Sequence, residues 1–196
     1  MREAGRVPRV TKPVEKIKRA ARMLLFRAHA RPGVKGWELR KALGPDYLDV
    51  IRGLNEYLSL LGLEVRAVDE GGRRLSLDEG ESGLSQAIFL VALREQPTLT
   101  EAKTSGWRVD DLAMLAASLL YLASNGGRAP RRLVVEVLRA KFPRWRVEAA
   151  LDRFIRAGYL REEGDALVIG WRAYAEVDID QLVGVARLKR EEGEGE

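Results

Sequence analysis

The chain contains no cysteine and a single histidine, His29. The first absence excludes disulfides, thiolate nucleophiles and Cys/His zinc sites. The second leaves no Ser-His-Asp triad unless His29 alone carries it. His29 falls beside Arg31-Pro32-Gly33, at the expected end of a helix, where a solvated imidazole is the simpler reading. No run of about twenty uncharged apolar residues is present, and the basic N-terminus lacks the apolar stretch of a signal peptide. A cytoplasmic protein without membrane contact is expected. The acidic pairs Asp110-Asp111 and Glu162-Glu163, and the alternating Asp178 and Asp180, read as helix caps and surface charge. No catalytic residue, cofactor or metal is expected, and the protein reads as non-enzymatic.

What is present is the composition of a folded protein, 46% hydrophobic and 32% charged over 196 residues, enough for one large domain or two small ones. The formal net charge is +5, and it is uneven. Residues 1–22 hold eight Lys/Arg against two acids, Arg128 to Arg146 hold seven against one, and the chain ends "EEGEGE". Clustered cations suit a polyanionic partner, nucleic acid first. The alternative is a surface built from arginine and glutamate for stability, as in many thermophilic proteins.

After a basic leader over residues 1–13, Val14, Ile17, Ala21, Leu24, Leu25 and Ala28 recur at helical spacing. They predict an amphipathic helix from Val14 to Ala30. A short helix follows from Trp37 to Leu43, stopped by Gly44-Pro45, and Leu48, Ile51, Leu54, Leu58 and Leu61 mark a third. Then comes "LGLEVRAVDEGGRRLSL", two strands around a turn where Gly71-Gly72 supply positive φ and Arg73 and Arg74 project from the tip. The strand at Glu64–Val68 has two candidate partners, Arg74–Leu77 and the apolar "AIFLVALR" of Ala87–Arg94. A three-stranded ribbon in which Leu75–Ser85 lengthens the wing accommodates both.

The order then repeats. "VDDLAMLAASLLYLAS", Val109–Ser124, is an apolar helix closed by Asn125-Gly126-Gly127. Arg131–Lys141 follows with Leu133, Val134, Val137 and Leu138 inward, and Arg144–Ala157 buries Val147, Leu151, Phe154 and Ile155. "YLREEGDALVIG" reads as a hairpin turning at Glu163-Gly164-Asp165, and a last helix spans Ala173–Leu188. The fold class expected is α+β, mainly helical, with two tandem winged helix-turn-helix domains at 14–94 and 108–188. A connector over 95–107 joins them and an acidic tail over 189–196 follows.

"RMLLFRAHA", "LGLEVRAVD" and "IFLVALR" resemble the first winged helix of the MAGE homology domain, and "DALVIGWRAYAEVDIDQLVGVARL" resembles the end of its second. The resemblance extends to the kleisin-interacting tandem winged-helix (KITE) subunits of SMC complexes and covers residues 14–188. Trp171 stands where the family usually has proline, and no RING can follow without cysteine, so a ubiquitin-ligase role is not implied. A prokaryotic-style member fits best. The resemblance implies a nucleoid-associated subunit of a chromosome-organising complex. Its expected partners are a kleisin-like protein, a second tandem winged-helix subunit or a second copy of itself, and double-stranded DNA. Leu24 and Leu25 align with the paired leucines with which MAGE proteins grip partners.

The residues themselves supply the candidate sites. For DNA backbone these are Arg73 and Arg74 at the wing tip, Arg128, Arg131 and Arg132 at one helix start, and Arg144, Arg146 and Arg153 on the next. The outward Glu148 and Asp152 argue against base-specific readout by that helix. Leu24 and Leu25 are candidates for partner contact, and Trp145, between two arginines, for contact with a partner or a nucleotide, the alternative being the rim of a core. A tandem winged-helix transcription regulator, or a scaffold that binds no DNA, remain the alternatives.

Overall fold

The computed structural model describes residues 12–26, 32–78, 80–95 and 106–184. Most of the leader, His29, the connector from 96 to 105 and the acidic tail lie outside the described residues.

Helix α1 (Lys12–Phe26) lays its apolar stripe of Ile17, Ala20, Ala21 and Leu24 against α3 (Tyr47–Ser59). Gly53 permits the approach, since a Cβ there would stand 3.2 Å from the Ile17 Cδ1. Lys16 donates to Asp46 at 2.6 Å across the start of the pair. That hydrogen bond holds the Asp46 carboxyl below the ordinary carboxylate range. Between the helices run β1 (Val34–Lys35) and α2 (Gly36–Leu43), which ends at Gly44 with φ 102°. Strands β2 (Leu63–Val68), β3 (Arg74–Leu75) and β4 (Ile88–Leu93) complete an antiparallel sheet of order β1-β4-β2-β3. Its inner face meets the helices, where Tyr47 and Phe89 pack edge to face with centroids 6.2 Å apart.

Both candidate partners of β2 are used. Ala67 and Val68 pair with Leu75 and Arg74, and all six β2 residues pair with β4. The expected lengthening of the wing by Leu75–Ser85 is not found. Strand β3 has two residues, and the chain turns into a short helix α4 (Gly80–Leu84). Leu84 is fully buried, and the Ser85 and Ala87 carbonyls accept hydrogen bonds from Trp37 and Gly36. "SLDEGESGL" carries too little β-forming side chain to hold an extended strand, and one buried leucine anchors it as a turn of helix instead.

The second half follows the same path with α5 (Val109–Ser124), β5 (Arg128–Pro130), α6 (Arg131–Arg139), α7 (Arg144–Arg156), β6 (Leu160–Glu163) and β7 (Ala166–Ile169). Its sheet order, β5-β7-β6, reproduces β1-β4-β2. The three-residue β5 and two-residue β1 were not anticipated from the sequence, being too short to show an alternating pattern. Helices α5 and α7 end in matching motifs. Gly126 and Gly127 return N–H groups to Ala123 and Leu122, while Gly158 and Tyr159 return theirs to Ile155 and Phe154. This is Schellman capping, with Gly126 and Gly158 at φ 72° and 84°. The core contains Met114, Leu119, Val134, Leu138, Leu151 and Phe154. Val137, expected inward, is exposed, because it lies on the outer edge of the stripe formed by Val134 and Leu138.

The expected last helix, Ala173–Leu188, is interrupted. Helix α8 (Trp171–Glu176) ends before Val177, and a new helical stretch occupies 179–184. Asp178 starts that stretch by accepting the Gln181 N–H on its side chain at 3.0 Å, an N-cap inside a seemingly continuous pattern. Helix α8 crosses onto the outer face of the first sheet. There Ala175, fully buried, meets Val68, Ile88 and Leu90, with Trp171 alongside.

The chain is therefore an α+β protein in which two helix-and-sheet halves of matching topology, each with its own core, are joined along one sheet face.

Candidate functional site

The seam between the halves is fastened by two arginines from the first sheet. Arg66, on the β2 face that carries Val68, donates to the Ala175 carbonyl at 2.7 Å and to the Leu93 carbonyl at 2.6 Å. Its Nε meets Glu64 at 2.6 Å. Arg74 donates to the Tyr174 carbonyl at 3.1 Å and the Ala175 carbonyl at 3.4 Å. These acceptors belong to the last turn of α8, where carbonyls lack helical partners and cations are favoured. Gly72, at φ 89°, approaches the same helix so closely that a Cβ would fall 2.1 Å from the Tyr174 ring. Of the Gly-Gly pair, Gly72 alone has positive φ.

Beside the seam opens a cleft. Leu63, Val91, Leu93, Leu112, Leu115 and Val177 form apolar surface in it, and charge of both signs lines it, from Arg66, Arg74 and Arg94 and from Glu95, Glu176 and Asp178. Leu93 is 48% exposed. A half-buried network supports one wall: Tyr159 donates to one Glu176 oxygen and Arg172 to the other at 2.8 Å. The Arg172 guanidinium also lies 4.8 Å from the centre of the Tyr159 ring. Burial raises the Tyr159 phenol well above its ordinary pKa, the Glu176 charge raises it further, and Arg172 opposes both.

The wing-tip arginines divide. Arg73 is 72% exposed and its side chain, among the described residues, meets only Asp69, at 3.4 Å, whereas Arg74 turns to the seam rather than projecting. Arg128 meets Glu163 at 2.8 Å. Arg131 gathers Glu148 at 2.8 Å, Asp152 at 3.1 Å and Glu162 at 2.5 Å. Partial burial opposes its charge, but hydrogen bonds to Glu148 and Asp152 prevail and its pKa is raised. Arg146 meets Asp110 at 2.7 Å, although its buried Nη2 makes no aligned hydrogen bond. Arg153 meets the buried Asp111 at 2.8 Å and covers the Trp107 ring at 4.7 Å. Arg132 and Arg144 are exposed and unpaired among the described residues. Leu24 is 3% exposed and belongs to the first core, Leu25 is 45% exposed, and Trp145 is 74% exposed.

The eight arginines thus do not form one surface. Arg128, Arg131, Arg146 and Arg153 are tied to carboxylates and Arg74 to helix carbonyls, while Arg73, Arg132 and Arg144 keep outward charge. Sequence reasoning missed Arg66, the Tyr159–Glu176–Arg172 network and the unpaired Arg139 and Lys141. A signal for Arg66 existed: it shares the outer β2 face with Val68, and "IFLVAL" is apolar on both faces, which requires a cover on the outer side. Among the described residues, no cluster of His, Asp or Glu is arranged to hold a metal ion, and no helix is long and apolar enough to cross a membrane.

No protein-family model matches the sequence, and no curated protein matches it. Among solved structures, the chain is similar in fold to a chain of an Nse1-Nse3-Nse4 complex, with a TM-score of 0.59 over 87% of this chain and 73% of the other. The two are 15% identical, so the likeness is one of architecture. The α+β arrangement is of the type present in that complex.

Proposed function

We propose that the chain is a pair of winged-helix domains, residues 14–94 and 108–188 joined through 95–107, acting as a non-enzymatic subunit of an SMC-type chromosome-organising complex. It takes a kleisin-like segment and touches double-stranded DNA without sequence preference. The repeated order of helix, strand, two helices and ribbon supports the domain reading. The likeness to a chain of the Nse1-Nse3-Nse4 complex supports the MAGE and KITE type.

The cleft at the seam carries the partner half of the reading. Its apolar lining, bordered by charge of both signs, suits the apolar face of an amphipathic helical segment. A second tandem winged-helix subunit would find exposed apolar side chains at the end of α3, where Tyr57, Leu60 and Leu61 face solvent. The DNA half draws on the cations that keep outward charge, Arg73, Arg132 and Arg144. The acids of α7 are engaged by Arg131, which disfavours α7 as a base-reading helix and hence a sequence-specific regulator.

The partner test is size-exclusion and anisotropy binding to the kleisin-like chain encoded by the same genome. Leu93→Asp with Leu112→Asp is expected to weaken the complex at least tenfold, since a carboxylate must be desolvated against an apolar partner. No complex with the unaltered chain would overturn the assignment. For DNA, affinity for a random duplex is expected to fall steeply with salt, and Arg73→Glu with Arg132→Glu to lower it further. Arg131→Glu is a poor probe, since it would set four acids against one another.

A further inference from the structure

Four residues at the corner between α6 and α7 stand apart from the paired cations around them. Arg139, Lys141 and Arg144 are exposed and have no side-chain partner among the described residues. Trp145 beside them is 74% exposed. The nearest acids in sequence are Glu136, exposed one turn earlier on α6, and Glu148, held by Arg131. Neighbouring Arg146 is drawn inward by Asp110, so the corner shows net positive charge around a large aromatic plane. A solvated basic surface gains nothing from that plane, and the second core is complete without it.

We propose that this corner binds single-stranded DNA, with Trp145 stacking on an unpaired base and Arg139, Lys141 and Arg144 neutralising the flanking phosphates. The inference rests on the DNA half of the reading above and refines it. Cations alone would serve any DNA backbone equally. An exposed indole finds no base face in an intact duplex, because neighbouring pairs cover both sides, whereas an unpaired base offers one regardless of sequence.

The test is fluorescence anisotropy at low salt with labelled oligo-dT and a labelled random duplex of equal length, for the unaltered chain, W145A, W145F and R139E with K141E. Trp145 lies outside the core, so W145A should fold, and a thermal melt checks it. W145A is expected to weaken oligo-dT binding about tenfold and duplex binding less than about twofold. W145F should retain most oligo-dT affinity, and the charge reversals should weaken both ligands. If the duplex binds and oligo-dT does not, or W145A leaves oligo-dT affinity unchanged or lowers both equally, the stacking inference fails while the DNA reading stands. Oligo-dT binding alone, lost in W145A, would uphold the inference and overturn the duplex reading. No binding to either ligand overturns both.

Discussion

Asp111 is a nearly buried carboxylate whose charge is answered by Arg153, and Arg153 is itself held over the Trp107 ring. Arg153→Ala removes the countercharge and leaves the carboxylate desolvated. The expected loss is about 2 kcal/mol, below the range for fully buried pairs because the arginine is half exposed. Urea unfolding measures it, and Asp111→Asn combined with Arg153→Ala should recover part of it. Tyr159 gives a second prediction, in pH. Its folded pKa lies above the unfolded value near 10, so the fold favours the neutral phenol. The contribution is intact below pH 10 and is lost as pH rises above it, because the unfolded chain releases the proton first. Melting between pH 9 and pH 11 should therefore fall more steeply for the unaltered chain than for Tyr159→Phe. At neutral pH Tyr159→Phe should be less stable by about 1 kcal/mol, through its lost hydrogen bond to Glu176.

The three long helices and the hairpin of the second half were legible because their signals were local, whereas the short β5 and the break after α8 were not. Acids open α5, the pair Gly126-Gly127 closes it, Pro143 separates α6 from α7, and Gly164-Asp165 turns the hairpin. The wing of the first half was not, because its chemistry depends on a distant element. Asp69 accepts the Arg73 N–H and its own N–H bonds the Arg73 carbonyl, which a hairpin signal foretells. The contact of Gly72 with Tyr174 is 102 positions away in sequence and carries no local mark. Gly72→Ala is expected to cost about 2 kcal/mol, since it combines a disfavoured positive φ with a collision against a ring. Gly62→Ala, also at positive φ but with open space around it, should cost about 1 kcal/mol. Thermal melts of the two variants separate backbone strain from seam contact.

At the scale of the whole molecule, the two cores are joined by a small apolar seam and by Arg66 and Arg74 on the α8 carbonyls. Leu90→Asp places a charge in that seam. The expected result is that one cooperative transition in calorimetry becomes two, as each half unfolds about its own core. The sequence by itself determined the repeated order of the long helices and the hairpin of the second half, because apolar spacing, glycine caps and proline stops act within a few residues of where they stand, but not the helical turn α4 or the break after α8. It also placed Leu24 among apolar helix positions and excluded cysteine chemistry outright. What the tertiary structure alone decided is which charges are free. Arg74, Arg131, Arg146 and Arg153 read as outward cations along the chain, and folding brings each to an acid or a helix end that sequence spacing does not reveal. Charge is conserved through folding, but its exposure depends on which carboxylates the packing delivers, and that is a property of three-dimensional neighbours rather than of sequence order.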